Sequence, residues 1–216
     1  MKAFGSLWFA LGLLVIGGTG CAVNRSVVAV PTKQVADPAQ GPVVVITRVA
    51  DLRTFELAPD DPSVPSLKDG AITDKAITSR AFGRKRNGYG MAMGDVLLPE
   101  GNTVEALVKA GLTAALREAG FRVKEVGSEA PGDALTLDVE IKRLWCWFVP
   151  GFWYITTNFK ATLDLKGTVL KGGIPQTVEV KTDKGHQVVT DDDWAKTLET
   201  GVEALSGKVK ESLKTP

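Results

Sequence analysis

The chain has 216 residues, 44% of them hydrophobic and 24% charged, which is the balance of a folded globular protein and excludes wholesale disorder. Twenty-six Lys and Arg against 25 Asp and Glu leave a net charge of +1, which argues against a protein built to grip a polyanion such as nucleic acid. One His and two Cys leave little for a zinc site or a histidine-based catalytic centre, so neither metal nor cofactor is expected.

Lys2 is followed by an apolar run from Ala3 to Ile16, then by Gly17, Gly18, Thr19 and Gly20, and then by Cys21. A positive start, an apolar middle and a small-residue end are the layout of a secretory signal. The run is shorter than the ~20 apolar residues of a membrane span, so residues 1–20 read as a removable signal peptide. The small residues before Cys21 resemble the lipobox of bacterial lipoproteins, with Gly18 standing where an aliphatic side chain is usual. That resemblance implies diacylglycerol on the Cys21 thiol and a fatty acyl group such as palmitate on the new amine. One chain holds a protein reversibly and two or more hold it stably, so the membrane becomes a partner through Cys21. Ala22, rather than Asp, follows the cysteine, which by the same resemblance implies the outer membrane, facing the periplasm. The alternative is an ordinary cleavage flanked by Gly20 and Ala22, which releases a soluble periplasmic protein starting near Val23.

Residues 21–41 read as the lipidated N-terminus and a flexible tether, polar and broken by Pro31 and Pro38, although Val27–Val30 is able to form a short strand. Residues 42–216 read as one domain. Val43–Val49 is β-branched and fits a buried strand, whereas Pro59, Pro62 and Pro65 make Asp51–Leu67 a loop. Strands are expected at Ala76–Phe82 and Asp95–Leu98, joined through an Asn87-Gly88 turn. Asn102 is the expected cap of a helix whose apolar face runs from Val104 to Ala119 and which Gly120 ends. Phe121–Val126 is a short strand. Three further strands alternate with period two, at Leu135–Ile141, Ile155–Val169 and Gln176–Val189. Asp191, Asp192 and Asp193 suit the positive start of a final helix with Trp194, Leu198, Val202, Leu205 and Val209 on its buried face. The economical packing is an α+β two-layer sandwich, a mainly antiparallel sheet with two helices on one face.

The stretches Asp51-Leu52-Arg53, Arg86-Asn87-Gly88-Tyr89-Gly90, Leu97–Val104 and Ala119–Val123, behind a lipidated cysteine, resemble the YajG-type family of uncharacterised bacterial lipoproteins. The resemblance implies an outer-membrane location and a two-layer body, like that of small envelope lipoproteins that assist larger complexes; it implies no reaction.

Two surfaces stand out as candidates for contact. Arg84, Lys85 and Arg86 form a dense basic cluster, either a phosphate-binding turn or a solvated hairpin tip. Trp145, Trp147, Phe148, Phe152 and Trp153 surround Pro150-Gly151, so this hairpin tip is greasier than its stems. Alternation is unable to turn every neighbour inward, and exposed apolar surface marks a partner or a membrane. Cys146 is expected to be buried and inert, His186 stands alone, and no nucleophile, base and orienter emerge together. The leading expectation is a non-catalytic, lipid-anchored lipoprotein that binds an envelope protein or component. A soluble periplasmic enzyme is the alternative and requires converging carboxylates, for which Asp51, Asp95 and Glu140 are the candidates.

Overall fold

The structure, a computed structural model, describes residues 24–216; the signal-like run and Cys21 lie outside the described residues. Its strands are β1 (Ser26–Val27), β2 (Val43–Asp51), β3 (Ala81–Arg86), β4 (Ala92–Leu97), β5 (Arg122–Lys124), β6 (Leu135–Pro150), β7 (Ile155–Lys166) and β8 (Gln176–His186). Its helices are α1 (Lys75–Thr78), α2 (Val104–Glu118) and α3 (Asp191–Ser212).

All eight strands join one mixed sheet built around β6. Strand β7 runs antiparallel along one edge of β6, and β8 antiparallel beyond it. The other edge of β6 is shared. Its first half pairs in parallel with β2, from Val44 opposite Leu135 to Asp51 opposite Ile141, and its second half with β3, at Cys146 and Trp147. Strand β5 then flanks β2 in parallel, β4 flanks β3 antiparallel, and β1 flanks β4 in parallel. The expected mainly antiparallel sheet is therefore corrected to a mixed one. A period of two reports that one face of a strand is buried and says nothing of its neighbours' direction, and the parallel partners here come from distant parts of the chain.

Helices α2 and α3 cover one face, as their apolar stripes require. Leu107, Val108, Leu112 and Leu116 of α2, with Trp194, Leu198, Leu205 and Val209 of α3, meet Val44, Leu137, Ile141, Leu163 and Phe159 of the sheet. A fully buried side chain of this size contributes about 1.5–3 kcal/mol. Thr103, not Asn102, caps α2, its hydroxyl accepting from the Ala106 N–H at 3.1 Å. Gly120 ends that helix with φ +93°, a conformation that disfavours a Cβ. Helix α3 begins with a capping box in which the Thr190 backbone N–H and hydroxyl donate to Asp193 at 2.9 and 2.7 Å.

The other face of the sheet is covered in part as well. Ala76–Phe82, expected as a strand, is α1 followed by the start of β3, because Asp74 accepts from the Ala76 N–H and starts a helical turn. The proline-rich segment before it folds over β3, β4 and the second half of β6. There Leu67, Ala81, Leu97, Trp145 and Trp147 form a second core, flanked by Phe55, Ile72 and Ile77. The two-layer description holds for the first half of β6 and becomes three layers over the second.

Residues 24–41, part of the stretch 21–41 read from sequence as a flexible tether, lie against this body. Val28 N–H donates to the Leu97 carbonyl at 2.8 Å, and Lys33 pairs with Glu118 on α2. Asp37 pairs with Arg117 at 2.7 Å and accepts from the Val123 N–H, and the Arg122 N–H reaches the Pro42 carbonyl. The segment thus runs from β1 past α2 to the start of β2. Among the described residues no helix is long and apolar enough to cross a membrane.

Candidate functional site

The β6–β7 hairpin closes through the Gly151 N–H, which donates to the Tyr154 carbonyl at 2.9 Å. At its tip Phe152 is 90% and Trp153 83% exposed, their rings edge to face at 4.9 Å. Tyr154 and Val149 are also exposed. The rest of the expected aromatic surface is not there. Trp145 and Trp147 are buried in the second core, with Phe55 edge-on to Trp145 at 5.8 Å, and Phe148 is half-buried against Trp194 at 5.7 Å. The reason is that both faces of β6 are closed here, so Leu144 and Cys146 turn to the helices while Trp145 and Trp147 turn to the proline-rich cover. Burial pushes the Cys146 thiol well above its ordinary value, which leaves it inert as a nucleophile.

The basic triplet lies in β3 rather than at a turn, and all three side chains are buried. Lys85 Nζ donates to Ser26 Oγ at 2.7 Å, and that hydroxyl donates to Asp191 Oδ1 at 2.7 Å, so the ammonium joins β3, β1 and the start of α3. Arg84 Nε lies 3.8 Å from Asp95. Arg86 donates to the carbonyls of Pro59 and Gly90 and to Ser66 Oγ, tying the proline-rich cover to the hairpin. Burial lowers the Arg86 pKa, with Asp61 opposing. Neither a phosphate-binding turn nor a solvated tip describes these side chains. The turn itself forms at Asn87, whose N–H donates to the Met91 carbonyl at 3.0 Å.

Asp51 and Arg53 sit at the seam where β2 stops and β3 begins along β6. Leu52 N–H takes the Ile141 carbonyl, the last such bond from this stretch. Across the gap Arg53 donates to the carbonyls of Ala81 (2.6 Å), Leu144 (3.2 Å) and Thr78 (2.8 Å), and in a fork to both Asp51 oxygens at 2.8 Å. Five N–H donors thus meet five acceptors on a side chain that is fully buried. The three candidate carboxylates are held apart, each by its own partners. Asp51 has Arg53, Asp95 has Arg25 and the Lys68 N–H, and Glu140 has Arg48 and Lys142. Hydrogen bonding and charge from Lys142 hold Glu140 below the usual carboxylate range against its desolvation.

One constellation went unseen in the sequence. His186 Nδ1 is 3.0 Å from Asp193 Oδ1 and His186 Nε2 is 3.0 Å from Thr157 Oγ1, the order of an orienter, a base and a hydroxyl. The β7–β8 register, with Ile155 opposite His186, brings Thr157 beside the imidazole, the first turn of α3 supplies Asp193, and nothing in their spacing announces the set. Thr157 has no exposed surface, and Thr197 Oγ1 lies 2.9 Å from its oxygen. A reacting carbon has to come within about 3 Å of a nucleophile, so this arrangement fastens α3 to β7 and β8. A groove of about 550 Å³ lies between α2 and α3, floored by Leu107, Gly111 and Val202 and rimmed by Lys33, Glu118 and Glu203.

No family model matches the chain, and no curated protein matches it. Solved structures do. An uncharacterised protein is similar at 12% identity and a TM-score of 0.48, over 88% of this chain and 97% of that one. Protein XCC0632 from Xanthomonas campestris, of family DUF330, is similar at 8% identity and a TM-score of 0.42, over 87% and 91%. A minor lipoprotein from Acinetobacter baumannii is similar at 13% identity and a TM-score of 0.35, over 48% and 78%. None of these likenesses carries a function to this chain.

Proposed function

We propose that this chain is a lipid-anchored outer-membrane lipoprotein facing the periplasm. It works by binding rather than catalysis, and the β6–β7 tip is its contact with a protein or another envelope component. One observation carries the reading: Phe152 and Trp153 stand almost fully in solvent, with Tyr154 exposed beside them, at the end of a hairpin whose Trp145, Trp147 and Phe159 are buried. Large apolar groups held out in this way are a cost to an isolated protein and a resource to one with a partner. The anchor is supported by the small residues before Cys21. Binding is favoured over chemistry because Asp51, Asp95 and Glu140 are each neutralised in a different place, and the Thr157 hydroxyl is enclosed.

Two measurements test this. Intact mass of the protein purified from membranes is expected to show a diacylglyceryl adduct on an N-terminal Cys21; an unmodified chain that starts further on removes the anchor. A photo-crosslinking residue at position 153 is expected to capture a protein or a lipid in cells. Capture of neither removes the contact surface.

A further inference from the structure

We infer that the aromatic tip rests on the bilayer that holds the Cys21 lipid, so that one end of the sheet is a membrane-interface surface and the protein stands on it. This rests on the lipid-anchored reading above and names the envelope component which that reading leaves open.

Strand directions fix where the chain before Asn24 emerges. β1 is parallel to β4, with Ser26 opposite Val96, so the residues before it head toward the β3–β4 turn. Asn24 lies so close against Gly94 that a Cβ there would come within 2.2 Å of its carbonyl oxygen, and Arg25 pairs with Asp95 at 3.3 Å. Cys21 precedes Asn24 by three residues, so the two Cα atoms are at most about 11 Å apart whatever path the chain takes. Three strand residues also separate Gly94 from Met91, roughly 10 Å. The link to the lipid is therefore about as long as the climb from Gly94 to the turn.

At that turn Tyr89 is 92% and Met91 60% exposed. The β6–β7 tip lies at the same end. β3 is parallel to β6 with Arg84 opposite Trp147, and the strands continue two and three residues beyond that pair before turning. Val149, Phe152, Trp153 and Tyr154 are exposed there, and the pairing of Ile155 with His186 brings the exposed Val188 beside them. The exposed apolar side chains of two turns and a strand exit thus share one end with the point where the lipid must lie.

Three physical arguments select the bilayer as occupant. Trp and Tyr favour the boundary between headgroups and acyl chains. The climb from Gly94 to the turn takes up about 10 Å of a link of at most about 11 Å, so the Cys21 backbone reaches little beyond the turns. Its thioether-linked glyceryl group leaves a gap too thin for a folded partner. The groups at the two turns are apolar and the basic triplet is buried, while the exposed Arg25 is paired with Asp95 and the exposed Lys184 has Asp183 next to it in sequence. Contact is therefore made by insertion of rings rather than by attraction to phosphate.

Among the described residues Trp153 is the one exposed tryptophan, since Trp145, Trp147 and Trp194 are buried. The mature protein, purified from membranes and its mass measured, is reconstituted into phosphatidylethanolamine–phosphatidylglycerol vesicles with part of the lipid brominated high on the acyl chain. Bromolipid is expected to quench one emission component, unchanged by high salt, and Trp153→Phe is expected to remove that component and leave the rest. With the Cys21 adduct present, a Trp153 that stays open to aqueous acrylamide and untouched by bromolipid overturns the inference and leaves the anchor standing. A Trp153 shielded from acrylamide in native membranes, but open and unquenched in these vesicles, assigns the tip to a protein and also overturns it. With the adduct absent, quenching by added vesicles supports the surface while removing the anchor; no quenching overturns both.

Discussion

Arg53 shows how much one side chain does here. Where β2 ends and β3 has yet to begin, β6 and its neighbours present carbonyls with no strand opposite, and the guanidinium takes those of Thr78, Ala81 and Leu144 while Asp51 holds it in a fork. Arg53→Ala leaves these acceptors and a carboxylate unsatisfied under cover, and is expected to cost about 3–5 kcal/mol in urea unfolding. Arg53→Lys is expected to recover little of it, because an ammonium cannot span the fork and the carbonyls together. A variant as stable as the parent removes the seam argument. Asp193 makes a pH-dependent contribution whose sign is fixed. Burial raises its carboxyl, but the Thr190 N–H and hydroxyl, with His186 and Lys196 nearby, outweigh that and hold it below 3.8. A lowered native pKa gives stability that is complete above 3.8 and declines as the pH falls through the native value. Denaturation midpoints measured against pH are expected to fall through this acid window, and Asp193→Asn is expected to flatten that part of the fall.

At the scale of elements, α3 reaches β7 through a position with no side chain. A Cβ on Gly201 would lie 2.3 Å from the Phe159 ring, so Gly201→Ala is expected to cost roughly 1–3 kcal/mol or more by overpacking. Phe159→Leu, itself destabilising, is expected to relieve part of that, and a double-mutant cycle that shows simple additivity contradicts the contact. The β6–β7 hairpin separates structural from functional aromatics. Trp147→Ser is expected to cost about 3–5 kcal/mol, whereas Phe152→Ser with Trp153→Ser is expected to stay within about 0.5 kcal/mol per site. Equal losses in thermal unfolding would return the tip to the core. The same hairpin shows what the sequence made legible. Both long helices and the turns at Asn87 and Gly151 are local events, written in caps, glycines and apolar periods, and they are present. Burial of Trp145 and Trp147 depends on a cover supplied by residues 52–80, far away in the chain, and no local period reports it. The charges of Arg84, Lys85 and Arg86 suggest solvent until the pairings to Ser26, Asp95 and Ser66 are seen, and His186 meets Thr157 through strand register and Asp193 through the docking of α3.

For the whole molecule the segment from Asn24 to Pro42 decides how an anchored body stands. It begins at the tip end beside Gly94, crosses α2 through the Lys33–Glu118 and Arg117–Asp37 pairs, and delivers the chain to β2 at the opposite end. There Val44 meets Leu135, the first residue of β6, and Pro216 lies near Gly120. The sixteen residues of β6 span the body between these two ends, about 50 Å at ~3.3 Å per residue. A segment stitched along that span cannot act as slack, so in the proposed lipid-anchored form only the residues between Cys21 and Asn24 separate lipid from protein. An acceptor dye in the bilayer and a donor at the C-terminus are therefore expected to report a long and narrow distance distribution, near that span. The pairs holding the segment are partly exposed, and each alone contributes little. Lys33→Ala with Asp37→Ala is therefore expected to broaden the distribution only slightly, because β1 still grips β4. Gly94→Ala, which pushes Asn24 off the sheet, is expected to broaden it strongly and to expose residues 24–42 to protease. A short, broad distribution in the parent protein would mean that the body swings or lies flat, and the upright arrangement would be wrong.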